Sequence, residues 1–395
     1  MAHITKSISK VNLFFLIIRL KNLQKIFNLL FLFFTNNMRT KHILLLAFLV
    51  SFSASVLHAQ PVAVVRGLCL NAPSKADVER FVKLIDTTLA ADSVNTIVLR
   101  IDYRYEYKSH PELQASDPLS ESDLKKIADA CQKNHIRLIP QINLLGHQSW
   151  AGQVGKLLEI YPQFDETPSI QLPKDYKWPN ADGLYCKSYC PLHPDVHKVV
   201  FDVVDEIVEA CRSDAFHAGM DEVFYIAHPD CERCKGEDPA VLFAREVTLI
   251  RNHLAESGRQ LWIWGDRLID GKTTGVGEWE GSYNNTYRAI DLIPKDVIIN
   301  DWHYEQAVPT PAFFAAKGFS VVACPWRKPE VAIQQSAMMK MFRENSSSVM
   351  SSRFAGVMHT FWSDTRIFID GMNGTDEKAQ NDPSVQTFKA LVKVW

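Results

Sequence analysis

Short runs of apolar and β-branched residues alternate with amphipathic segments of helical period along most of this chain. Runs of this kind that are bounded by turn residues predict buried strands, and the periodic segments between them predict helices. Eight strands are predicted, at residues 62–70, 96–101, 136–142, 215–217, 261–264, 297–300, 320–323 and 356–361.

Helix signals lie between most of these strands. Ser74 and Ser120 each precede an apolar stripe and have an aspartate three positions later, as in a capped helix start. Further helices are predicted at 196–208, 247–254, 310–317, 330–343 and 384–394. The connection between the fifth and sixth strands is the weakest, with a Gly-rich stretch at 271–281 and one short helix at 286–292.

Eight strand–helix units in one chain predict an α/β fold of the closed (β/α)8 type, a TIM barrel. No Gly-x-Gly-x-x-Gly or phosphate-binding loop follows any strand, which disfavours a nucleotide or dinucleotide enzyme. In such barrels the chemistry is located at the carboxyl ends of the strands.

The N-terminal segment has the composition of an export signal. Residues 1–60 contain seven Lys or Arg and no acidic residue. A basic start at 38–42, an apolar run at 43–50 and a small-residue tail at 51–59 follow the pattern of a secretory signal. We therefore expect residues 1–59 to be a signal segment whose true start is Met38, and 60–395 to be one catalytic domain. The apolar run is too short for a stable membrane span, so we expect none in the mature chain.

The net charge and the positions of the cysteines bear on the partners and on possible cross-links or metal sites. Without residues 1–60 the chain has 36 basic and 45 acidic residues, a formal net charge of −9, which disfavours a nucleic-acid partner. Cys69, Cys131, Cys211 and Cys324 lie in apolar patterns and are expected to be buried thiols. The pairs Cys186/Cys190 and Cys231/Cys234 lie in polar loops, and predict either disulfides or a structural four-thiolate zinc site.

Polar and aromatic side chains concentrate where the predicted strands end. Asp221 and Glu222 directly follow the fourth strand, and adjacent carboxyls repel, so that one tends to retain its proton and can act as a general acid. Aromatic walls suit the apolar faces of sugar rings. The candidates at other strand ends are His147, Trp264, Trp302, Tyr304, Trp362 and Asp364.

The run 216–223 resembles the His-x-Gly-x-Asp-Glu signature of glycoside hydrolase family 20, the β-N-acetylhexosaminidases. Arg66-Gly67 looks like the Arg-Gly whose arginine holds sugar hydroxyls in that family. Residues 139–147 are similar to its Pro-Glu-x-Asp-x-Pro-Gly-His segment, but Gln141 and Asn143 replace acids and Leu145 replaces proline. This looks like a divergent, barrel-only relative.

The resemblance implies roles for single residues. Asp221 would orient the acetamido group of the sugar, Glu222 would be the acid/base, and His217 would brace the pair or be a core histidine. Arg66, His147, Trp264, Trp302, Tyr304, Trp362 and Asp364 would bind the sugar. We expect a retaining, substrate-assisted reaction without a metal or organic cofactor, on a glycan ending in β-linked N-acetylhexosamine.

Two alternatives stay open at this point. One is a glycosidase of other sugar specificity on the same frame, for which the aromatic-rich segment 148–195 could line added subsites. The other is a catalytically silent glycan-binding protein, which the amides Gln141 and Asn143 keep under consideration.

Overall fold

A computed structural model of the chain describes residues 64–174 and 186–395. Eight parallel strands close into a barrel in which each strand pairs with its neighbours in chain order, and the first pairs with the last. The predicted (β/α)8 barrel is confirmed. The strands are β1 Val65–Asn71, β2 Thr96–Arg100, β3 Arg137–Leu144, β4 Ala215–Gly219, β5 Gln260–Trp264, β6 Ile298–Trp302, β7 Ser320–Cys324 and β8 Phe354–Phe361.

Helices follow the strands on the outside of the barrel. The principal ones are α1 Val78–Leu84, α2 Glu121–Lys133, α3 Val196–Ala210, α4 Pro239–Glu256, α5 Thr310–Ala316, α6 Pro329–Glu344, α7 Thr365–Asn373, α8 Glu377–Gln380 and α9 Pro383–Leu391. Further α-helical segments of four or five residues are Lys156–Ile160, Gly271–Thr274, Gly277–Glu280 and Ser348–Ser351. A two-stranded hairpin pairs Ser149–Trp150 with Gln153–Val154.

The two predicted serine caps behave differently. Ser120 forms a full capping box at the start of α2, where its hydroxyl accepts the Asp123 N–H and the Asp123 carboxylate accepts the Ser120 N–H. Ser74 instead donates its hydroxyl to Asp77 at 2.6 Å, and a 3-10 turn, Lys75–Asp77, separates it from α1. Between β5 and β6 the only long helical element is a 3-10 helix, Thr286–Asp291, in line with the weak signal there.

Two apolar layers hold the barrel together. The larger core lies between the strands and the helices, and Phe81, Ile127 and Phe243 are among its fully buried members. The barrel interior has its own cluster, which includes Cys69, Val98 and Ile139 and becomes aromatic towards the carboxyl ends of the strands. All eight cysteines are buried and free. No helix within residues 64–174 and 186–395 has the length and apolarity needed to cross a membrane.

Candidate active site

The acid pair follows β4 on a sharply turned piece of backbone. The strand ends at Gly219, and Gly219, Met220 and Glu222 have φ angles of 67°, 65° and 49°. A side chain at 219 would place its Cβ 2.3 Å from Asn143 Oδ1, so glycine is required there by both the left-handed backbone and the close approach of β3. Because the alternation of strand side chains has ended by then, Asp221 and Glu222 are free to face the same side.

His147 connects the two carboxylates. Its Nε2 lies 3.0 Å from Asp221 Oδ2 and 3.1 Å from Glu222 Oε2. Burial opposes a charge on this ring, but the attraction of Asp221 outweighs it and raises the pKa of His147 well above its usual value. Burial by itself would likewise raise the pKa of Asp221, yet the neighbouring His147 lowers it. His147 and Asp221 therefore form an ion pair between a protonated imidazolium and an ionised carboxylate.

Asp266 supports the pair from the end of β5. Its Oδ2 accepts the Glu222 N–H at 2.9 Å and the Arg267 Nε–H at 2.7 Å, while Oδ1 accepts from Trp302 Nε1 at 3.3 Å. Burial raises the pKa of Asp266 to about 6, against the attraction of Arg267. The Arg267 guanidinium is fully buried and also donates to three backbone carbonyls, so the backbone of the acid pair is anchored to β5.

His217 belongs to the barrel core. It is fully buried on β4, its Nδ1 accepts the Gly219 N–H at 3.0 Å, and its ring centroid lies 4.6 Å from that of Trp264. Burial lowers the pKa of His217 to about 3, so the ring is neutral. Its role is thus to fix the end of β4 and the ring of Trp264, the core-histidine alternative of the sequence analysis.

Aromatic rings cluster at the carboxyl ends of the strands, where Trp302 bonds to Asp266 beside the acid pair. We call the aromatic wall the set Trp264, Trp279, Trp302, Tyr304 and Trp362, which pack as one cluster with the barrel interior. Trp362 donates its Nε1–H to the Tyr304 hydroxyl at 2.9 Å, and its ring lies 5.7 Å from that of Trp264. Four of these five residues were predicted; Trp279 was missed, because it comes from the short Gly277–Glu280 helix rather than from a strand end.

A second polar group lies at the ends of β2 and β3. Arg100 donates to Asp102 Oδ2 at 2.9 Å and lies 5.7 Å above the ring of Trp362. Burial opposes the charge on Arg100, but Asp102 and, more weakly, Asp221 raise its pKa. The amides that replace the two acids on β3 bond to each other, Gln141 Nε2 donating to Asn143 Oδ1 at 2.9 Å. They satisfy each other without adding charge beside Asp221.

Two expected sugar-binding residues lie elsewhere. Arg66 is the second residue of β1, at the amino end of the barrel, where its Nε donates to the Ser93 carbonyl at 2.8 Å. Asp364 is exposed and caps α7, accepting the Arg366 N–H at 2.9 Å. Both side chains are engaged in holding the fold, so we withdraw them from the candidate site.

Cys186 is an unexpected neighbour of the acid pair. Its sulfur lies 3.3 Å from His147 Nδ1 and 3.4 Å from Glu222 Oε2. Burial raises the pKa of this thiol, so it is a neutral donor to the carboxylate. The predicted grouping of Cys186 with Cys190, Cys231 and Cys234 is therefore wrong. No signal at the level of sequence spacing separates Cys186 from Cys190, four positions later.

The arrangement thus offers a buried carboxylate pair, a cation that contacts both members, and an aromatic wall at the carboxyl ends of the strands. Asp221 Oδ1 is buried and has no hydrogen-bond partner among residues 64–174 and 186–395. Two groups of side chains in the same part of the chain have ligand atoms close enough to hold a metal ion. They are His147 with Cys186 and Glu222, and Glu166 with Cys190, Cys231 and Cys234.

Several solved structures share this fold. A chitobiase from Flavobacterium johnsoniae is 19% identical, with a TM-score of 0.57, over 84% of this chain and 50% of that one. A β-N-acetylhexosaminidase from Bacteroides fragilis is 15% identical, with a TM-score of 0.57, over 84% and 66%. A further β-N-acetylhexosaminidase is 15% identical, with a TM-score of 0.55, over 84% and 74%. The chain therefore spans between half and two thirds of the length of the first two.

Fold and site together define a (β/α)8 catalytic domain with a paired-carboxylate centre. The family model for "Glycosyl hydrolase family 20, catalytic domain" matches residues 76–368, more than half of the chain. The protein belongs to glycosyl hydrolase family 20, as the signature at 216–223 suggested. No curated protein sequence matches the chain significantly.

Proposed function

We propose that this protein is an exported glycosidase that removes terminal β-linked N-acetylhexosamine from glycans with retention of configuration. The observation that carries this proposal is the contact of both Asp221 and Glu222 with one nitrogen of His147. The two carboxylates thus face the same imidazole nitrogen from consecutive positions of the chain. Two-carboxylate glycosidases instead need acid and nucleophile on opposite sides of the sugar ring.

A 2-acetamido sugar supplies the missing nucleophile. Its carbonyl oxygen attacks the anomeric carbon while Glu222 donates a proton to the departing glycosidic oxygen, and the C–O bond to the aglycone breaks. A cyclic oxazolinium intermediate results. Water then attacks the anomeric carbon and Glu222 takes the proton from that water. The oxazolinium ring opens, which restores the acetamido group and leaves the original configuration at the anomeric carbon.

The surroundings of Asp221 fit the task of orienting the acetamido group. Its carboxylate is ionised, and Oδ1 is a buried acceptor to which no donor in the described part of the chain is bonded. A buried acceptor without a donor is costly, and the N–H of an acetamido group is a donor of the right kind. An anion at this position also stabilises the positive charge that develops on the oxazolinium ring.

The remaining side chains favour a sugar over other ligands. The partly exposed rings of the aromatic wall, Trp279, Tyr304 and Trp362, offer apolar surface. Arg100 with Asp102 offers a donor and an acceptor beside Trp362. We assign the recognition of distal hydroxyls to this pair, in the place that the sequence analysis gave to Arg66 and Asp364.

Export follows from the N-terminal segment. Residues 1–59 have the basic, apolar and small-residue regions of a signal, and they precede the barrel. We propose that this segment is removed and that the domain from residue 60 acts outside the cytoplasm on glycan or chitin-like fragments.

Three aryl glycosides test the proposal. The wild-type protein is expected to hydrolyse an aryl N-acetyl-β-glucosaminide, to hydrolyse the galacto epimer at a comparable or lower rate, and to leave the plain β-glucoside intact. Equal turnover of the plain glucoside would reject substrate assistance. Preference for a different sugar would favour another glycosidase on the same frame, and binding without turnover would favour a silent glycan-binding protein.

A further inference from the structure

Three cysteines and one glutamate meet away from the acid pair. Cys190 Sγ lies 3.5 Å from Cys231 Sγ, and Cys234 Sγ lies 2.6 Å from Glu166 Oε1. One ligand atom from each of the four residues lies within 4.8 Å of every other. They come from three separate loop segments, so their meeting is a product of the fold and not of local sequence.

The four side chains are closed off from solvent. Glu166, Cys190 and Cys234 are fully buried and Cys231 is 4% exposed. Glu166 Oε2 has no hydrogen-bond partner among residues 64–174 and 186–395. A buried carboxylate is expensive unless it is paired or bound to a metal, and only metal binding would engage all four groups together.

A disulfide does not satisfy this cluster. Any one disulfide would join two of the three cysteines and leave the third thiol and the Glu166 carboxylate buried beside it. The cluster has an odd number of thiols, whereas a tetrahedral metal site needs four ligands and has four here.

We propose that Glu166, Cys190, Cys231 and Cys234 bind one structural zinc ion. Zinc takes thiolate sulfur at about 2.3 Å and carboxylate oxygen at about 2.0–2.2 Å in tetrahedral sites. Such a tetrahedron separates its sulfurs by about 3.8 Å, close to the 3.5 Å between the sulfurs of Cys190 and Cys231. Three soft thiolates favour zinc over magnesium or calcium, which prefer oxygen ligands.

Neighbouring groups hold the carboxylate ligand in position. Glu166 Oε1 accepts the His228 N–H at 3.0 Å, a contact of the kind that orients metal ligands. The ammonium of Lys187 is buried next to the cluster and donates to Asp165 Oδ2 and to the Thr167 carbonyl, both at 2.6 Å. Lys187 thus fixes the residues on both sides of Glu166, which holds the backbone of the carboxylate ligand in place.

The location gives the ion a structural task. Glu166 and Cys190 belong to the connection after β3, and Cys231 and Cys234 to the connection after β4, which also carries the acid pair. Four protein ligands leave no open position, so the ion would not take part in the chemistry. It would tie together the two loops that bring Cys186 and His147 against Glu222.

Metal content tests the inference on the full chain. Protein purified without chelators is expected to contain about one zinc ion per chain by mass spectrometry of the metal. Cys234→Ser and Glu166→Gln should each lose most of it. Cys131→Ala, a buried cysteine outside the cluster, is the matched control and should keep it.

Cys186→Ser separates this ligand set from the four-thiolate set that the sequence suggested. It should retain zinc. Loss of zinc in both Cys186→Ser and Cys234→Ser would overturn the assignment in favour of the four-thiolate set, and loss in Cys186→Ser with retention in Cys234→Ser would overturn it and place the ion at the acid pair.

A measurement without variants covers the case of poor folding. Exchange of the native ion for Co²⁺ should give thiolate-to-cobalt charge transfer and the strong visible bands of a tetrahedral site. A zinc-free wild type, or a disulfide between any two of the three cysteines in unreduced protein, would refute the proposal.

Discussion

Asp221 and Glu222 are consecutive in the chain but differ in their surroundings. Asp221 is held ionised by His147, whereas the backbone N–H of Glu222 is fixed to Asp266 and its carboxylate contacts the Cys186 thiol. In the proposed mechanism the electrostatic task belongs to Asp221 and the proton transfer to Glu222. Their variants should therefore fail in distinguishable ways.

The reduction in kcat caused by Glu222→Gln should depend on the leaving group. Loss of a general acid typically costs about 10² to 10⁴ in rate, and activated aryl leaving groups need that proton least. We expect a large fall in kcat with a natural disaccharide and a smaller one with a nitrophenyl glycoside. The exposed Glu256→Gln is the control, and an equal loss on both substrates would contradict the assignment.

The reduction in kcat caused by Asp221→Asn should not depend on the leaving group. The neutral amide cannot stabilise the developing charge of the oxazolinium, and losing one such electrostatic interaction costs about 10² to 10³ in kcat. Comparing kcat for aryl N-acetylglucosaminides of graded leaving-group pKa should give a uniform reduction. A loss that grows with leaving-group pKa would mean that Asp221, not Glu222, is the acid.

His147→Gln should alter the pH dependence of kcat/KM. In the native protein His147 lowers the pKa of Asp221 against the effect of burial, and the reaction needs ionised Asp221. Without the imidazolium that pKa rises, so the acidic limb of the profile moves to higher pH. His253→Gln, which removes a histidine paired with Asp205 on the outer helices, should leave the limb in place.

The structure brings some of the predicted site residues together and places others apart from them. Asp221, Glu222 and His147 were predicted from a strand-end pattern and a family signature, and the structure brings them together. Arg66 was misplaced because five residues separate it from the end of β1. At about 3.3 Å per residue this puts it roughly 16 Å from the mouth of the barrel. Arg100 lies beside the predicted site residue Trp362 without belonging to any motif.

The elements themselves were predicted with the right order and type, but several strands ended too early. β3 and β4 were each predicted to stop two residues before Leu144 and Gly219, their observed ends. Apolar patterning fades there because polar side chains such as Asn143 enter the barrel near the site. The polar side chains that mark the functional end of a strand thus also interrupt the apolar pattern from which its boundary is predicted.

The contact between the ends of β3 and β4 offers a test at this scale. A Cβ at Gly146 would lie 2.5 Å from the Asp221 carbonyl oxygen and 3.0 Å from Val223 Cγ2. Gly146→Ala should push the acid pair out of position, and a misplacement of about 1 Å can cost on the order of 10²-fold in rate. Steady-state kinetics with a thermal melt should show activity falling far more than stability.

Gly236→Ala is the matched comparison, because its Cβ would meet nothing within 4 Å although its φ is +85°. Backbone strain alone should then lower the melting temperature and spare kcat. Full activity in Gly146→Ala would show that the pair tolerates movement of its backbone.

On the scale of the whole molecule, the succession of eight strand–helix units was enough to predict a closed barrel. The spacing along the chain could not tell which loops meet above it. Glu166 joins Cys190 and the pair Cys231 and Cys234, while Cys186 turns to the acid pair, because loop contacts depend on how the barrel aligns its strand ends. Tertiary proximity of this kind leaves no periodic signal.

Separation of the N-terminal segment from the catalytic domain is the last expectation to test. The first strand of the barrel, β1, begins at Val65 and pairs with β8 to close the barrel. A chain starting at residue 60 should therefore melt at the same temperature as the full-length protein and hydrolyse the aryl N-acetylglucosaminide with the same kcat/KM. A chain starting at Ala72, which lacks β1, opens the barrel and exposes strand edges on both sides of the gap, so it should not fold. If the chain from residue 60 were inactive or melted markedly lower, residues 1–59 would have to stabilise the domain, and a role as a removable export signal would be excluded.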